Sequence, residues 1–329
     1  MYGLLELSAF TKTMQFKCKE CDREFKTRRS LHTHIKAHGM YLGDYYVKHY
    51  PRFNKLTGEP LPFKNFSDYF EMDFSRPNQV FEWCEKNPRS EVQKYLIELL
   101  KRRIQDKNLD HGPSYLYLAS VGMPSVDLYK EYFGSYTEAC RMCGVKPLLG
   151  SHMPKEFWKD FSNVKILIDT REQKPLSFKN SQQMKLDVGD YAVAGSLYDY
   201  TFVDRKSFQD FGATVTNGYN RFAKELQRCR EIGCYIYVVI DEDFDEIEQV
   251  NKKNYKKFKL NYVYHNMREL QNEFSDCCQF VFSGSRANSS LLIPKLLVLG
   301  KKLWKTDIQY FWSQYLNHEL GNRTTEKAQ

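Results

Sequence analysis

No stretch of the 329-residue chain approaches the roughly 20 consecutive apolar residues that a membrane-spanning helix needs. Residues 1–15 also lack the basic region and long apolar run of a secretory signal. These absences set aside a membrane protein and an exported one, and the protein is expected inside the cell. The cysteines agree: there are nine, an odd number that includes the vicinal Cys277-Cys278, which is no secreted disulfide framework. Neither sign of charge is scarce. Lys and Arg number 49 against 41 Asp and Glu, for a net charge of +8, so a basic bias makes nucleic acid the natural acidic partner. Aromatic residues make up 15% and are spread along the chain, which fits packed domains better than a disordered arm. The length suffices for two or more domains.

What is present is concentrated between residues 166 and 210. Three acidic clusters, ILIDTREQKPLSF (166–178), LDVGDYAVAG (186–195) and YTFVDRKSFQD (200–210), lie in or at the end of apolar, β-branched runs that read as strands. Residues 191–195 and 200–206 are separated by Ser-Leu-Tyr-Asp, which predicts an antiparallel hairpin. Side chains alternate along a strand, so Asp204 and Lys206 share a face. If Gly195 stands opposite Asp199, then Asp190 stands opposite Asp204, and two carboxylates and a lysine converge. Facing carboxylates repel unless a cation lies between them. Such a site suits phosphodiester hydrolysis: oxygen ligands hold a hard divalent ion such as Mg²⁺ or Mn²⁺, and a lysine addresses the attacking water.

With these motifs in view, the stretch resembles the XPF-type nucleases, which are PD-(D/E)xK-like. Their signature is Asp-Thr-Arg-Glu, then a Gly-Asp pair, then Glu-Arg-Lys-x-x-x-Asp. The matches are Asp169-Thr170-Arg171-Glu172, Gly189-Asp190 and Asp204-Arg205-Lys206 with Asp210. Asp204 departs from the usual glutamate, which shortens the ligand arm but keeps its charge. The resemblance implies catalytic roles for Asp169, Glu172, Asp190, Asp204 and Lys206, with magnesium held by Asp190 and Asp204. Arg171 and Arg205 either contact phosphate or brace carboxylates, and Asp210 is either catalytic or a cap on the following helix. A later helix in the family carries an arginine and a glutamate near DNA, here Arg221 and Glu225.

Residues 16–38 follow the spacing Cys18-x2-Cys21-x12-His34-x3-His38, with Phe16, Phe25 and Leu31 as a miniature apolar core. Two thiolates on a hairpin and two imidazoles one turn apart on a helix complete a tetrahedral zinc shell, and the metal supplies folding energy that so small a core cannot. The segment resembles a C2H2 zinc finger. By that resemblance Thr27, Ser30 and Thr33 hold the base-reading positions with Arg29 nearby, while Lys26, Arg28 and Lys36 suit phosphate. A protein-binding finger is the alternative.

Residues 40–105 read as an aromatic linker followed by a helix over 91–105. Pro, Ser and Gly then punctuate three short helices within 106–150, and FGSYTEACRMCGV (133–145) resembles the helical repeat attached to homing endonucleases. Cys140-x2-Cys143 has no nearby partner pair with ligand spacing and reads as buried small residues. Within 160–315, strands alternating with helices predict an α/β nuclease domain with a mixed, restriction-endonuclease-like sheet. Glu242, Asp243, Asp245, Glu246 and Glu248 read as a solvated face, and NKKNYKKFK (251–259) as a DNA-backbone track or an exposed connector. Residues 1–15 are a leader and 316–329 a tail.

The sequence as a whole is expected to be a metal-dependent endonuclease acting on double-stranded DNA. It resembles a mobile-element or phage homing enzyme, with a ββα finger and a small all-α region directing the cut. Its expected place is the cytoplasm at a bacterial or phage nucleoid, or else a nucleus, and a homodimer is open. A structure-specific repair or recombination nuclease is the alternative. Such enzymes carry helix-hairpin-helix modules after the catalytic domain, and residues 260–329 contain no Gly-hydrophobic-Gly hairpin. An inactive DNA-binding regulator is a third possibility, opposed by the retained Asp190, Asp204 and Lys206.

Overall fold

The computed structural model describes residues 16–61, 72–76, 78–254 and 257–326, so the leader and the last residues of the tail lie outside it. The chain divides into two units, Met1–Val92 and Gln93–Gln329.

In the first unit, two-residue strands Phe16–Lys17 and Glu24–Phe25 pair antiparallel ahead of helix α1 (Arg28–Ile35). Thr27 starts α1 by accepting a hydrogen bond from Ser30 N at 3.1 Å. The sequence did not announce helix α2 (Leu42–His49), which lays Tyr45 and Tyr46 onto Cys18, Leu31 and Ile35, so the finger's small core is enlarged from outside the zinc motif. Tyr45 is fully buried, and its hydroxyl accepts Lys19 N at 2.7 Å. Asn54 organises the described residues of the aromatic linker around it. Buried Asn54 accepts Leu56 N at 2.8 Å and Thr57 N at 3.2 Å, and donates to Ser75 and to Gln79, the first residue of α3 (Gln79–Lys86). Helix α4 (Arg89–Asp106) begins here and continues into the second unit, where Leu96, Leu100 and Ile104 are buried along one stripe.

The second unit carries α5 (Tyr115–Ser120), α6 (Val126–Phe133) and α7 (Tyr136–Met142), which start at the N-caps Ser114, Ser125 and Ser135. Ser135 accepts Glu138 N at 3.1 Å, while the Glu138 carboxylate accepts a hydrogen bond from Arg141. Cys140 is buried under Gly112, where an added Cβ would lie 2.3 Å from its sulfur.

Six strands follow: β1 (Ile166–Asp169), β2 (Ser181–Met184), β3 (Tyr191–Val193), β4 (Thr201–Lys206), β5 (Tyr235–Ile240) and β6 (Cys278–Phe282). They form one mixed sheet in the order β6-β5-β4-β3-β1-β2, antiparallel only at β4/β3 and β3/β1. Strand β5, YIYVVI, is an unbroken apolar run because helices cover both faces of the sheet. On one face Ile236, Val238 and Ile240 meet α8 (Phe208–Val215), α9 (Tyr219–Glu231) and, beyond α10 (Ile247–Lys253), α11 (Leu260–Glu273). On the other, Tyr235, Tyr237 and Val239 meet α12 (Arg286–Leu299) and α13 (Ile308–Glu326). Helix α12 holds Pro294 inside it, buried with Leu292, Ile293 and Leu296.

Each edge of the sheet is handled differently. At β6 the outward backbone groups are satisfied by side-chain amides: Gln271 bonds Cys278 O and Phe280 N, and Gln309 bonds both N and O of Phe282. At the other edge β2 is exposed throughout; its SQQM sequence has no apolar alternation and gave no strand signal.

The helices α5–α7 are integral to this unit. The buried Asp307 carboxylate accepts Tyr115 N at 2.8 Å and Tyr310 N at 3.2 Å, capping α5 and α13 together. Asp127 accepts hydrogen bonds from Tyr310 Oη and Gln314 Nε2, both at 2.8 Å.

Candidate functional site

The site grows out of one register. Tyr191 pairs with Val203 across β3 and β4, which carries Asp190 opposite Asp204. The ladder is shorter than the sequence suggested. A 3-10 turn at Gly195–Leu197 opens the far end, and Asp199 there accepts Thr201 Oγ1 and Lys301 N instead of closing a tight hairpin. Near the carboxylates the pairing is held by Asp190 N to Val203 O, Asp169 N to Asp190 O and Arg205 N to Asp190 Oδ2, each 2.8 Å. Gly189 has φ +65°, and an added Cβ would stand 2.8 Å from Val203 O, so the Gly-Asp pair needs its glycine twice over.

Asp204 is 8% exposed, and Lys206 Nζ lies 3.0 Å and 2.8 Å from its two oxygens. Burial first, then the Asp204 carboxylate, drives the Asp190 carboxyl well above its ordinary range, against the bond from Arg205 N. Burial opposes charge on Lys206 as well, but Asp204, Asp190 and Glu225 outweigh it and hold the ammonium above its usual value. Glu225, on α9, is raised by burial and then by Asp204, so it belongs to the same electrostatic cluster. Hard carboxylate oxygens side by side, with one carboxyl forced upward by burial and then by its neighbour, fit a divalent cation held by Asp190 and Asp204.

The flanking residues divide. Asp169 is 1% exposed, and its oxygens accept Arg171 N (2.7 Å), Nε (2.7 Å) and Nη2 (3.0 Å) and Leu186 N (2.7 Å). The Arg171 hydrogen bond leads in holding its carboxyl down at about 2. Asp169 thus fixes the loop after β1, and its acceptor sites are filled. Arg171 shares that pair yet leaves its side chain 64% exposed beside the carboxylates. Glu172 accepts Lys174 N and Arg205 Nη2, and its charge still helps to raise the Asp190 carboxyl. Of the two roles open for Arg205, its contacts are those of a brace and not of a phosphate ligand, because strand alternation turns it to the opposite face. There it is 8% exposed and bonds Asp241, Glu172 and Lys174 O. Asp241 had no motif to reveal it; the only signal was an acid directly after an all-apolar strand. Asp210 is not the cap of α8. Ser207 is, and its hydroxyl bonds Asp210 Oδ2 at 2.7 Å.

In 251–259, Tyr255 and Lys256 lie outside the described residues. Asn251 clamps Phe258 N and O at 2.9 Å, and Lys252 and Lys253 are exposed.

In the finger, ligand atoms of Cys18, Cys21, His34 and His38 all lie within 4.8 Å of one another, with Cys21 Sγ 3.1 Å from His34 Nε2 and His38 Nε2 3.0 Å from His34 Nε2. Two sulfurs and two imidazole nitrogens so converged suit tetrahedral zinc. The expected base readers make local bonds: Thr27 Oγ1 lies 2.8 Å from Ser30 Oγ, and Thr33 donates to Arg29 O. Lys26, Arg29 and Lys36 are exposed, and Arg28 lies over the Phe16 ring. Among the described residues Cys140 and Cys143 join no metal-binding group.

The family described as ERCC4 domain matches residues 168–296, and the family described as zinc-finger double-stranded RNA-binding matches residues 15–36. No curated protein matches the chain. Among solved structures, XPF from Aeropyrum pernix is similar at 18% identity with a TM-score of 0.33, over 42% of this chain and 61% of that one. XPF from Aeropyrum pernix in complex with DNA is similar at 18% identity with a TM-score of 0.31, over 43% and 66%. The chain thus spans less than two thirds of either. Residues 168–296 are an ERCC4 domain, the XPF-type nuclease domain, and a C2H2-like zinc finger precedes it.

Proposed function

We propose that the protein is a divalent-metal-dependent DNA endonuclease whose active site is Asp190, Asp204 and Lys206. The observation that carries this is the register that sets the two carboxylates face to face with Lys206 on Asp204. A Mg²⁺ or Mn²⁺ ion bound there would act as a Lewis acid on the scissile phosphate. Lys206, kept cationic by its neighbours, orients the attacking water and counters charge building on the phosphate. Arg171 offers an exposed guanidinium to a non-bridging oxygen. Asp169, Glu172, Arg205 and Asp241 hold the strand ends that carry these groups.

Target choice belongs to the finger and to α5–α7. Sequence-directed cutting of the homing type, with Arg29 and the reader positions on α1 facing the groove, remains the first reading. Cutting directed by DNA structure is the second, supported by the local bonds of Thr27, Ser30 and Thr33, which leave backbone contacts from Lys26, Arg28 and Lys36 as the finger's main resource. Cleavage mapping on random linear duplex against forks and flaps, with and without Mg²⁺, tests both. Recurrent sites on linear DNA support the first and cuts confined to junctions the second. No cutting of any substrate would remove the endonuclease reading. Nicks against double-strand breaks show whether one strand or both are cut, and the mass in solution separates a monomer from a homodimer.

A further inference from the structure

Helix α9 buries Phe222, Leu226 and Cys229 against the sheet. Arg221, Lys224 and Arg228, spaced i, i+3 and i+7, fall within about 60° of arc on another face at 100° per residue. All three are exposed, and none has an ion-pair partner among the described residues. The other cation in the last turn, Arg230, points elsewhere and is paired with Asp276 at 2.7 Å, while Glu231 is held by Gln227. Like charges three and four residues apart destabilise a helix, so the stripe is costly unless an anion meets it.

Its position says which anion. Glu225, next around the helix, faces Asp204 and Lys206, and both Arg221 and Arg228 act on its carboxyl. Arg171 stands beside the same carboxylates, within reach of the fields of Asp190 and Glu225. The carboxylate pair therefore has an exposed cation from the loop after β1 and a row of cations along α9, while the carboxylates themselves repel phosphate.

We infer that Lys224 and Arg228 extend the surface from Arg221 along α9 as a track for the backbone phosphates of duplex DNA, seating non-scissile phosphates so that the scissile one meets Asp190 and Asp204. This rests on the nuclease reading above. The stripe contributes sequence-independent affinity and register, and no chemistry.

The test uses the full chain, a labelled linear DNA duplex and Ca²⁺ in place of Mg²⁺, with affinity measured across a salt series. Lys224→Gln with Arg228→Gln is expected to weaken binding about tenfold and to lower the log-log salt slope by about 1.8, at roughly 0.9 per phosphate contact. Single-turnover cutting at saturating enzyme should change far less than cutting at low enzyme. The charge-keeping pair Lys224→Arg with Arg228→Lys should restore the slope, and Lys252→Gln with Lys253→Gln on α10 should leave it unaltered. A wild-type protein that binds and cuts, beside a Gln variant of unaltered slope and affinity, overturns the track alone. A wild type that binds neither linear nor branched DNA and cuts neither overturns the nuclease reading and the track together.

Discussion

Asp190 and Arg205 are joined by a backbone-to-carboxylate bond, Arg205 N to Asp190 Oδ2 at 2.8 Å, while the Arg205 side chain leaves on the opposite face of the sheet. One residue thus ties the face of β4 that carries Asp204 and Lys206 to the bracing network of Asp241 and Glu172 on the other.

That arrangement separates bracing from DNA contact. Arg205→Gln breaks a buried pair and should lower stability by about 3 kcal/mol. Cutting should fall, while the salt slope of duplex binding stays at the wild-type value. A slope lowered by about one, without loss of stability, would return Arg205 to the phosphate backbone.

Asp169 predicts an acid signature. Its folded pKa of about 2 lies below the ordinary carboxylate value, so its stabilisation is complete above about pH 4 and is lost as pH falls through 2. The size is about 2 kcal/mol for this nearly inaccessible group. Asp169→Asn should be destabilised by that amount at neutral pH, with the gap to wild type closing in acid. Urea midpoints across pH measure it, and a gap that ignores pH contradicts the Arg171 pairing.

The pairing of Asp190 with Asp204 was legible because strand alternation and a short connection allow few registers. Side-chain engagement was not. Arg205 and Asp241 meet from segments far apart in the chain, and only the parallel β4/β5 pairing brings them together. Likewise the Pro, Ser and Gly punctuation announced α5–α7, but nothing local announced that Asp307 would cap α5 from the far end of the chain. Residues Tyr45 and Tyr46 read as linker aromatics because their partner, the finger core, is assembled by the zinc ligands.

The finger should hold one zinc. Cys18→Ser should lose it by metal analysis and weaken the packing of Tyr45 and Tyr46, whose core includes that cysteine. Full zinc content in Cys18→Ser would remove the zinc site.

The most direct measurement is Mg²⁺-dependent cleavage of a labelled duplex by Asp204→Asn beside the wild type, with binding followed in the same samples. The variant loses a metal ligand and the carboxylate that Lys206 sits on, so it should give no product, yet bind as well as the wild type or slightly better, because a negative charge near phosphate is gone. Cutting at the wild-type rate by Asp204→Asn would contradict the assignment of this pair as the active site.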